Sequence, residues 1–207
     1  MEIIASLGRT MGFSFAAGIN LYATVAILGL ASRYQWVKLP PQFQAFDNDW
    51  VIGTAIVLYL VEFVADKIPW FDSIWDTIHT AIRPVGGAVI AVTTLGEASP
   101  TTATMIALFG GALAASTHFT KAGTRAVANT SPEPFSNWIL SLGEDLFVVG
   151  LGFLALKYPV AAAIVVIVGV LLIVMFAAVL IKAIRRRWNR PGPTPTGEPL
   201  LSARGES

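Results

Sequence analysis

Long apolar runs, broken by short polar or proline-bearing segments, set the pattern of this chain. A helix needs about 20 predominantly apolar residues to span the hydrocarbon of a bilayer. Runs at 3–31, 50–65, 85–95, 102–119, 138–156 and 160–181 reach or approach that length. They predict an all-α, polytopic transmembrane helical bundle of about six spans. The third run, VGGAVIAVTTLG, is short and Gly-rich, which fits a half-helix or a tilted one. Beyond Trp188 the sequence NRPGPTPTGEPLLSARGES has almost no bulky apolar residues. A disordered cytoplasmic tail over 189–207 is expected there, leaving 1–188 as the transmembrane domain.

Between the second and third runs lies a conspicuously charged stretch, VEFVADKIPWFDSIWDTIHTAIRP. Asp72, Asp76, His79 and Arg83 recur at helical spacing and share one stripe, with Phe71, Ile74, Trp75, Ile78 and Ile82 on the other side. Pro69 and Pro84 bracket the segment. At about 13 residues it is too short to span. The expectation is a short interfacial or re-entrant helix near 70–83, its stripe turned to water and head groups or to a cavity.

Composition agrees with a membrane protein. Of the 207 residues 55% are hydrophobic and 13% charged, where a soluble domain carries about 25% charged. A net charge of +1 gives no reason to expect nucleic acid as a partner. Without Cys there is no disulfide framework, thiol nucleophile or thiolate metal site. No cofactor is expected. The opening MEIIASLGRTMGF carries an acid before its first Arg and no clear cleavage site, so it reads as a retained helix. With six spans, Arg9, Lys67, Arg83, Lys121, Arg125 and the Lys and Arg residues from Lys182 onward share one side, opposite Arg33, Lys38 and Lys157. The positive-inside rule then puts both termini in the cytoplasm. Arg185, Arg186 and Arg187, just after the last run, are set to meet anionic lipid head groups.

The candidate chemistry lies in charge at membrane depth. Glu62 and Asp66 are four apart on one face, and Glu144 and Asp145 sit roughly 12 Å into the fifth run at 1.5 Å per residue. Such charges cost a few kcal/mol unless paired or protonated, so they turn to the bundle interior and mark either a site or a structural salt bridge. His118, Lys121 and Arg125 form a basic helical face, continued by Asn129, and Ser136 is a candidate N-cap for the fifth span. On a shared side, the acids of 62–76 are expected to meet Lys121 and Arg125 and line a polar vestibule. Of the adjacent acids, Glu144 is expected to face inward and Asp145 to pair with a cation or lie at a helix interface. Asn20, inside GFSFAAGINLYATVAILGL, reads first as an interhelical hydrogen-bonding residue and second as a solute contact. Asp72, Asp76 and His79 are candidate metal ligands, although acids four apart occur on many helices.

The stretches DNDWVIGTAIVLYLVEFVADKIP and FSNWILSLGEDLFVVGLGFLALKYP share a polar start, a Trp, an apolar helix interrupted by acids, and a closing Lys-X-Pro. They admit a 3+3 inverted repeat, a plan that recurs in transporters. The alternative is the generic likeness of membrane helices.

The segments NLYATVAILGL, YLVEFVADKIPWFDSIWDTIHTAIRP and HFTKAGTRAVANTSPEPFSNWILSLGED resemble a bacterial inner-membrane family known as domain of unknown function 4126. The resemblance covers nearly the whole chain to Trp188. It implies a small multi-pass protein of the inner membrane and brings no defined catalytic residue. Three functions compete: a transporter or channel-like protein for an ion or small solute, a non-catalytic membrane scaffold or subunit, and a metal-dependent enzyme acting on a lipid phosphate. The expected partners are the bilayer and a small solute or ion, with a homo-oligomer left open.

Overall fold

The computed structural model describes residues 2–129 and 135–188. Its elements are α1 (Glu2–Ile19), α2 (Leu21–Arg33), a short 3₁₀ helix (Pro41–Phe46), α3 (Asp49–Ala65), α4 (Pro69–Leu95), α5 (Pro100–Ala128), α6 (Phe135–Lys157) and α7 (Pro159–Trp188). No strand occurs among the described residues. The tail expected at 189–207, the turn residues 130–134, and the side chains of Arg186 and Arg187 lie outside the described residues. The chain divides into a bundle ending at Ile173 and a second unit whose described part is the remainder of α7.

Local signals explain most helix boundaries. Asn48 caps α3 by accepting from the backbone N–H of Trp50 at 2.9 Å and of Val51 at 3.3 Å. Ser99 caps α5 by accepting from Thr102 at 3.2 Å, with Pro100 following at the first helical position. Proline also opens α4 and α7, and Gly96, at φ 86°, closes α4 in a conformation that favours glycine. Ser136 sits within the first turn of α6, not ahead of it as an N-cap.

Among the described residues four helices are long and apolar enough to cross a membrane: Pro69–Leu95, Pro100–Ala128, Phe135–Lys157 and Pro159–Val179. The chain is a membrane-spanning helical bundle. Two departures from the sequence pattern shape it.

The first is α4. The segment at 70–83 is no separate interfacial helix; it runs straight into 85–95 with Pro84 inside one helix of 27 residues. A proline is tolerated in a transmembrane helix where neighbours hold the backbone. Here α5 packs along α4 on both sides of it: Arg83 bonds His118, and Gly87 lies so close to Ala114 and the Gly110 carbonyl that a Cβ would not fit. The polar stripe faces inward. Asp72, Asp76, His79 and Arg83 are at most 5% exposed, while Ile74, Ile78 and Ile82 are 39–55% exposed. Such inside-out partition fits lipid on the outside.

The second departure is at 3–31, which is no single span but a hairpin of two helices broken at Asn20. Both arms run along the same part of α6, in opposite directions. On α1, Asn20 meets Asp145, Phe15 meets Phe147, Gly12 lies against Ala155 and Gly8 against Pro159. On α2, Ile27 already faces Gly152, and Gly29 packs on Ile52 and the Phe46 carbonyl. Phe13 and Phe43 close the base edge-on at 6.3 Å, both fully buried. Arg9 and Lys38 therefore line the same cavity, with Ser6, Pro40 and Gln42. Placing Arg9 and Lys38 on opposite faces, as six simple spans required, does not hold, because the turn at Asn20 returns the chain to the end it came from.

Candidate functional site

The break at Asn20 creates the polar heart of the bundle. Asn20 adopts an extended conformation (φ −145°, ψ 100°), and its Oδ1 caps α2 by accepting from Ala23 N–H at 2.9 Å. Ending α1 there strips its last carbonyls of helical partners. Side chains from other helices supply them. Lys121 Nζ donates to the Ile19 carbonyl at 3.3 Å and Arg83 Nη1 to that of Gly18 at 3.4 Å. Cations suit this position because a helix C-terminus carries partial negative charge.

From these cations a network spreads over α3, α4, α5 and α6. Glu62, fully buried, accepts through Oε1 from Arg83 Nη2 at 2.9 Å and Lys121 Nζ at 3.3 Å. Asp66 Oδ2 takes Lys121 at 3.0 Å and Arg125 Nη2 at 3.2 Å. Glu144 grips Arg125 with both oxygens, at 3.2 and 2.6 Å, and lies 3.5 Å from Lys121. Asp76 sits 3.2 Å from Arg83 Nη1. Glu62 and Asp66 thus meet Lys121 and Arg125, whereas Asp76 meets Arg83 of its own helix and Asp72 pairs with no cation among the described residues. Glu62 and Asp66 meet these cations in a packed interior, while Asp72, Asp76 and Arg125 also border a small cleft between α4 and α5.

Two histidines complete the network, and their partners fix their protons. Arg83 can only donate, so His118 Nδ1, 2.8 Å from Arg83 Nη1, is an acceptor. The His118 proton therefore sits on Nε2, 3.2 Å from Thr80 Oγ1. In His79 the Trp75 carbonyl at 2.7 Å requires Nδ1–H, and Nε2 lies 2.8 Å from Tyr22 Oη. Lys67, in the turn outside the spans, donates to the Phe63 carbonyl at 2.8 Å and approaches Ser141 Oγ at 3.4 Å. Burial lowers its pKa.

The adjacent acids of α6 exchange their expected roles. Glu144 is the ion-paired one. Asp145 faces the interior, taking Asn20 Nδ2 on Oδ1 at 3.2 Å, while its buried Oδ2 takes no hydrogen bond. Helical neighbours point about 100° apart, and Arg125 of α5 claims the direction of Glu144. Asp72 resembles Asp145: it accepts from Asn129 Nδ2 at 3.0 Å and its buried Oδ1 has no hydrogen bond. Neither Asp72 nor Asp145 joins an ion pair among the described residues. The acids Glu62, Asp66, Asp72, Asp76, Glu144 and Asp145 outnumber the cations Arg83, Lys121 and Arg125 in this interior.

Asp72, Asp76 and His79 do not converge on a metal position. Among the described residues no three His, Asp or Glu side chains form a group that could hold a metal ion. Each is engaged elsewhere: Asp72 with Asn129, Asp76 beside Arg83, His79 with Tyr22.

Sequence reasoning passed over three residues here. Arg83 is fully buried and joins Glu62, Asp76, His118 and the Gly18 carbonyl; its place four after His79 on the stripe was the available signal. Asn137, 1% exposed, donates to Asn129 Oδ1 at 2.6 Å, and its carbonyl accepts from Arg125 at 3.3 Å. Tyr22, two residues past the break, holds His79.

The fold and site define a polytopic membrane protein with a buried, ion-paired core. Residues 7–180 match the family described as Domain of unknown function (DUF4126), and the chain belongs to that family. No curated protein and no solved structure matches it.

Proposed function

We propose that the protein is a transporter or channel-like protein for an ion or small solute, with Asp145 as a proton-binding carboxylate at the hairpin tip. One observation carries the reading: a hairpin broken inside the bundle, with Asn20 bonded to a buried acid that has no ion pair among the described residues. Broken helices whose ends meet buried charge are a common device of transporters, because backbone groups freed by the break bind ions or solutes. A buried carboxylate without a cation favours its protonated form, so it can load and release a proton as its surroundings change. Around it, Glu62, Asp66, Glu144, Lys121 and Arg125 set the field, and Asn20 joins Asp145 to the hairpin.

The inverted-repeat reading draws support from direction. Both Lys-X-Pro turns join two helices, at Lys67–Pro69 and Lys157–Pro159. Pro69 lies beside Asn129, near the ion network, and Pro159 beside Gly8, at the base of the hairpin. A bacterial inner membrane, a cytoplasmic C-terminus and head-group contact by Arg185, Arg186 and Arg187 belong to the same proposal, on the positive-inside rule.

A scaffold is the second reading. It is favoured by the double pairing of Glu62, Asp66 and Glu144, each shared by two cations, which suits a rigid interior. Proteoliposomes on a solid-supported membrane separate the two. A pH jump should drive a transient current in the wild type that Asp145→Asn lacks. Currents equal to those of empty liposomes, or unchanged in Asp145→Asn, would leave the scaffold as the better reading.

A further inference from the structure

The base of the hairpin holds a cavity of about 730 Å³ whose charged lining is all of one sign. Arg9 reaches it from α1 and Lys38 from the segment after α2, and no Asp or Glu lines it among the described residues. The hairpin brings the two cations together, because α2 returns the chain to the end from which α1 set out.

Neither cation has a partner. Arg83, Lys121 and Arg125 are all paired with carboxylates, and Arg33 holds Asp47 and Asp49 at 2.7 Å each. Arg9 and Lys38 join no ion pair and donate no hydrogen bond among the described residues. Arg9 is half-buried: its Nε lies inside without a hydrogen bond, while Nη1 and Nη2 at the tip stay accessible. Lys38 is exposed. Ser6, one turn before Arg9 on the same face, adds an uncommitted hydroxyl to the lining. Spare donors with positive charge call for an oxyanion, and the planar fork of Arg can take a phosphate with two parallel bonds.

Two helix ends fix the depth of the cavity. Gln42 in its wall donates to the carbonyl of Thr94 at 3.3 Å, one residue before the end of the candidate span Pro69–Leu95. Val160, in the opposite wall, is the second residue of the candidate span Pro159–Val179. The cavity therefore sits where hydrocarbon gives way to head groups. From Val160 an exposed apolar stripe continues along α7 through Ile164, Ile167 and Val168. Cations at head-group level beside such a stripe match an amphiphile with a negative head.

We propose that this cavity holds the phosphate head group of an anionic phospholipid, with Arg9 and Lys38 on the phosphate oxygens and an acyl chain along Val160 and Ile164. Free phosphate shares the chemistry of the head group, but it would leave most of a cavity of organic-ligand size empty. A zwitterionic lipid brings an ammonium for which the lining has no carboxylate. The binding does not rest on the transport reading, and absent pH-jump currents would leave it standing.

Purified full-length protein in a non-ionic detergent would be melted with dioctanoyl phosphatidylglycerol, dioctanoyl phosphatidylcholine or sodium phosphate at equal ionic strength. Phosphatidylglycerol should raise the melting temperature in a saturable way, because a ligand of the folded state stabilises it by mass action. Phosphatidylcholine with the same chains, and inorganic phosphate, should not. Arg9→Gln should weaken phosphatidylglycerol binding by on the order of thirtyfold and Lys38→Gln by on the order of tenfold, with Arg9→Lys between wild type and Arg9→Gln. Without lipid both Gln variants should melt with the wild type, since neither cation has a protein partner to lose. Lys38 is exposed, so its variant keeps the test open if Arg9→Gln fails to fold. Replacing Arg185, Arg186 and Arg187 together by Gln should leave the shift in place. Equal shifts from the two lipids, an equal shift from inorganic phosphate, or full binding by Lys38→Gln would overturn the proposal. So would loss of the shift in the Arg185–Arg187 variant alone.

Discussion

Asn20 and Asp145 are joined by a hydrogen bond of 3.2 Å that ties the turn of the α1–α2 hairpin to the middle of α6. The same Asn20 side chain caps α2 through its oxygen. One amide thus ends one helix, starts the next and gives a buried acid its hydrogen-bonding partner.

Removing that amide should be felt twice. Asn20→Ala loses a helix cap, which costs about 1 kcal/mol, and leaves Asp145 buried with one fewer partner, which costs about 1–3 kcal/mol more. The melting temperature of the purified protein should fall by several degrees. Asn20→Asp keeps the cap but sets a second carboxylate against Asp145, so it should rescue stability at acidic pH and not at neutral pH. Equal melting of Asn20→Ala and wild type would count against the hairpin turn described above.

Arg125 offers a test of geometry against charge. Its planar fork makes bonds from every N–H, to Asp66, Asn137 and Glu144. Lysine keeps the charge but not the fork. Arg125→Lys should therefore destabilise nearly as much as Arg125→Gln, and breaking a buried pair of this kind costs about 3–5 kcal/mol. A lysine variant that melts with the wild type would mean that charge alone suffices there.

How much of this was legible in the sequence depends on periodicity. Stripes at helical spacing can be read directly, so Asp72–Arg83 and His118–Arg125 were each grouped on one helical face; that the first stripe turns into the bundle, with Asp72 on Asn129 and Asp76 beside Arg83, was not legible. Expensive charge in a greasy chain also pointed inward, as Glu62 and Asp66 do. The hairpin was not legible, because an apolar helix that stops and restarts at one residue keeps an apolar pattern throughout; a single Asn in GINLY was the only mark. Pro84 misled for the opposite reason. Proline stops helices in water, but α5 holds α4 on both sides of it. The choice between Glu144 and Asp145 was beyond any single-chain pattern, since it was made by where Arg125 of α5 lies.

The hairpin predicts a labelling result. The chain has no Cys, so single cysteines report cleanly. Ser6 lies in the cavity with Lys38 and Gln42, and Gln42 bonds the carbonyl of Thr94 near the end of α4. Cysteines at Ser6 and at Ser99, which caps the next helix, should react with an impermeant reagent from the same side of oriented vesicles. Reaction from opposite sides would restore a single span over 3–31.

The adjacent acids of α6 give the sharpest separation of structure from activity. Glu144 holds Arg125 at 2.6 Å and lies near Lys121, so Glu144→Gln strips buried cations of a partner. That change should lower the melting temperature clearly, because a buried charge left unpaired is costly. Asp145 has no ion pair to lose. In Asp145→Asn the carboxamide oxygen still accepts from Asn20, and a buried charge without a counter-ion is gone. Its melting temperature should match the wild type or exceed it. The proton-driven current should behave in the reverse order, persisting in whatever Glu144→Gln protein stays folded and vanishing in Asp145→Asn. Melting curves and pH-jump currents on the same two preparations decide the matter. If Asp145→Asn melts normally and keeps its current, the proton site lies elsewhere, and Asp72, the other acid without an ion pair, is the next residue to substitute.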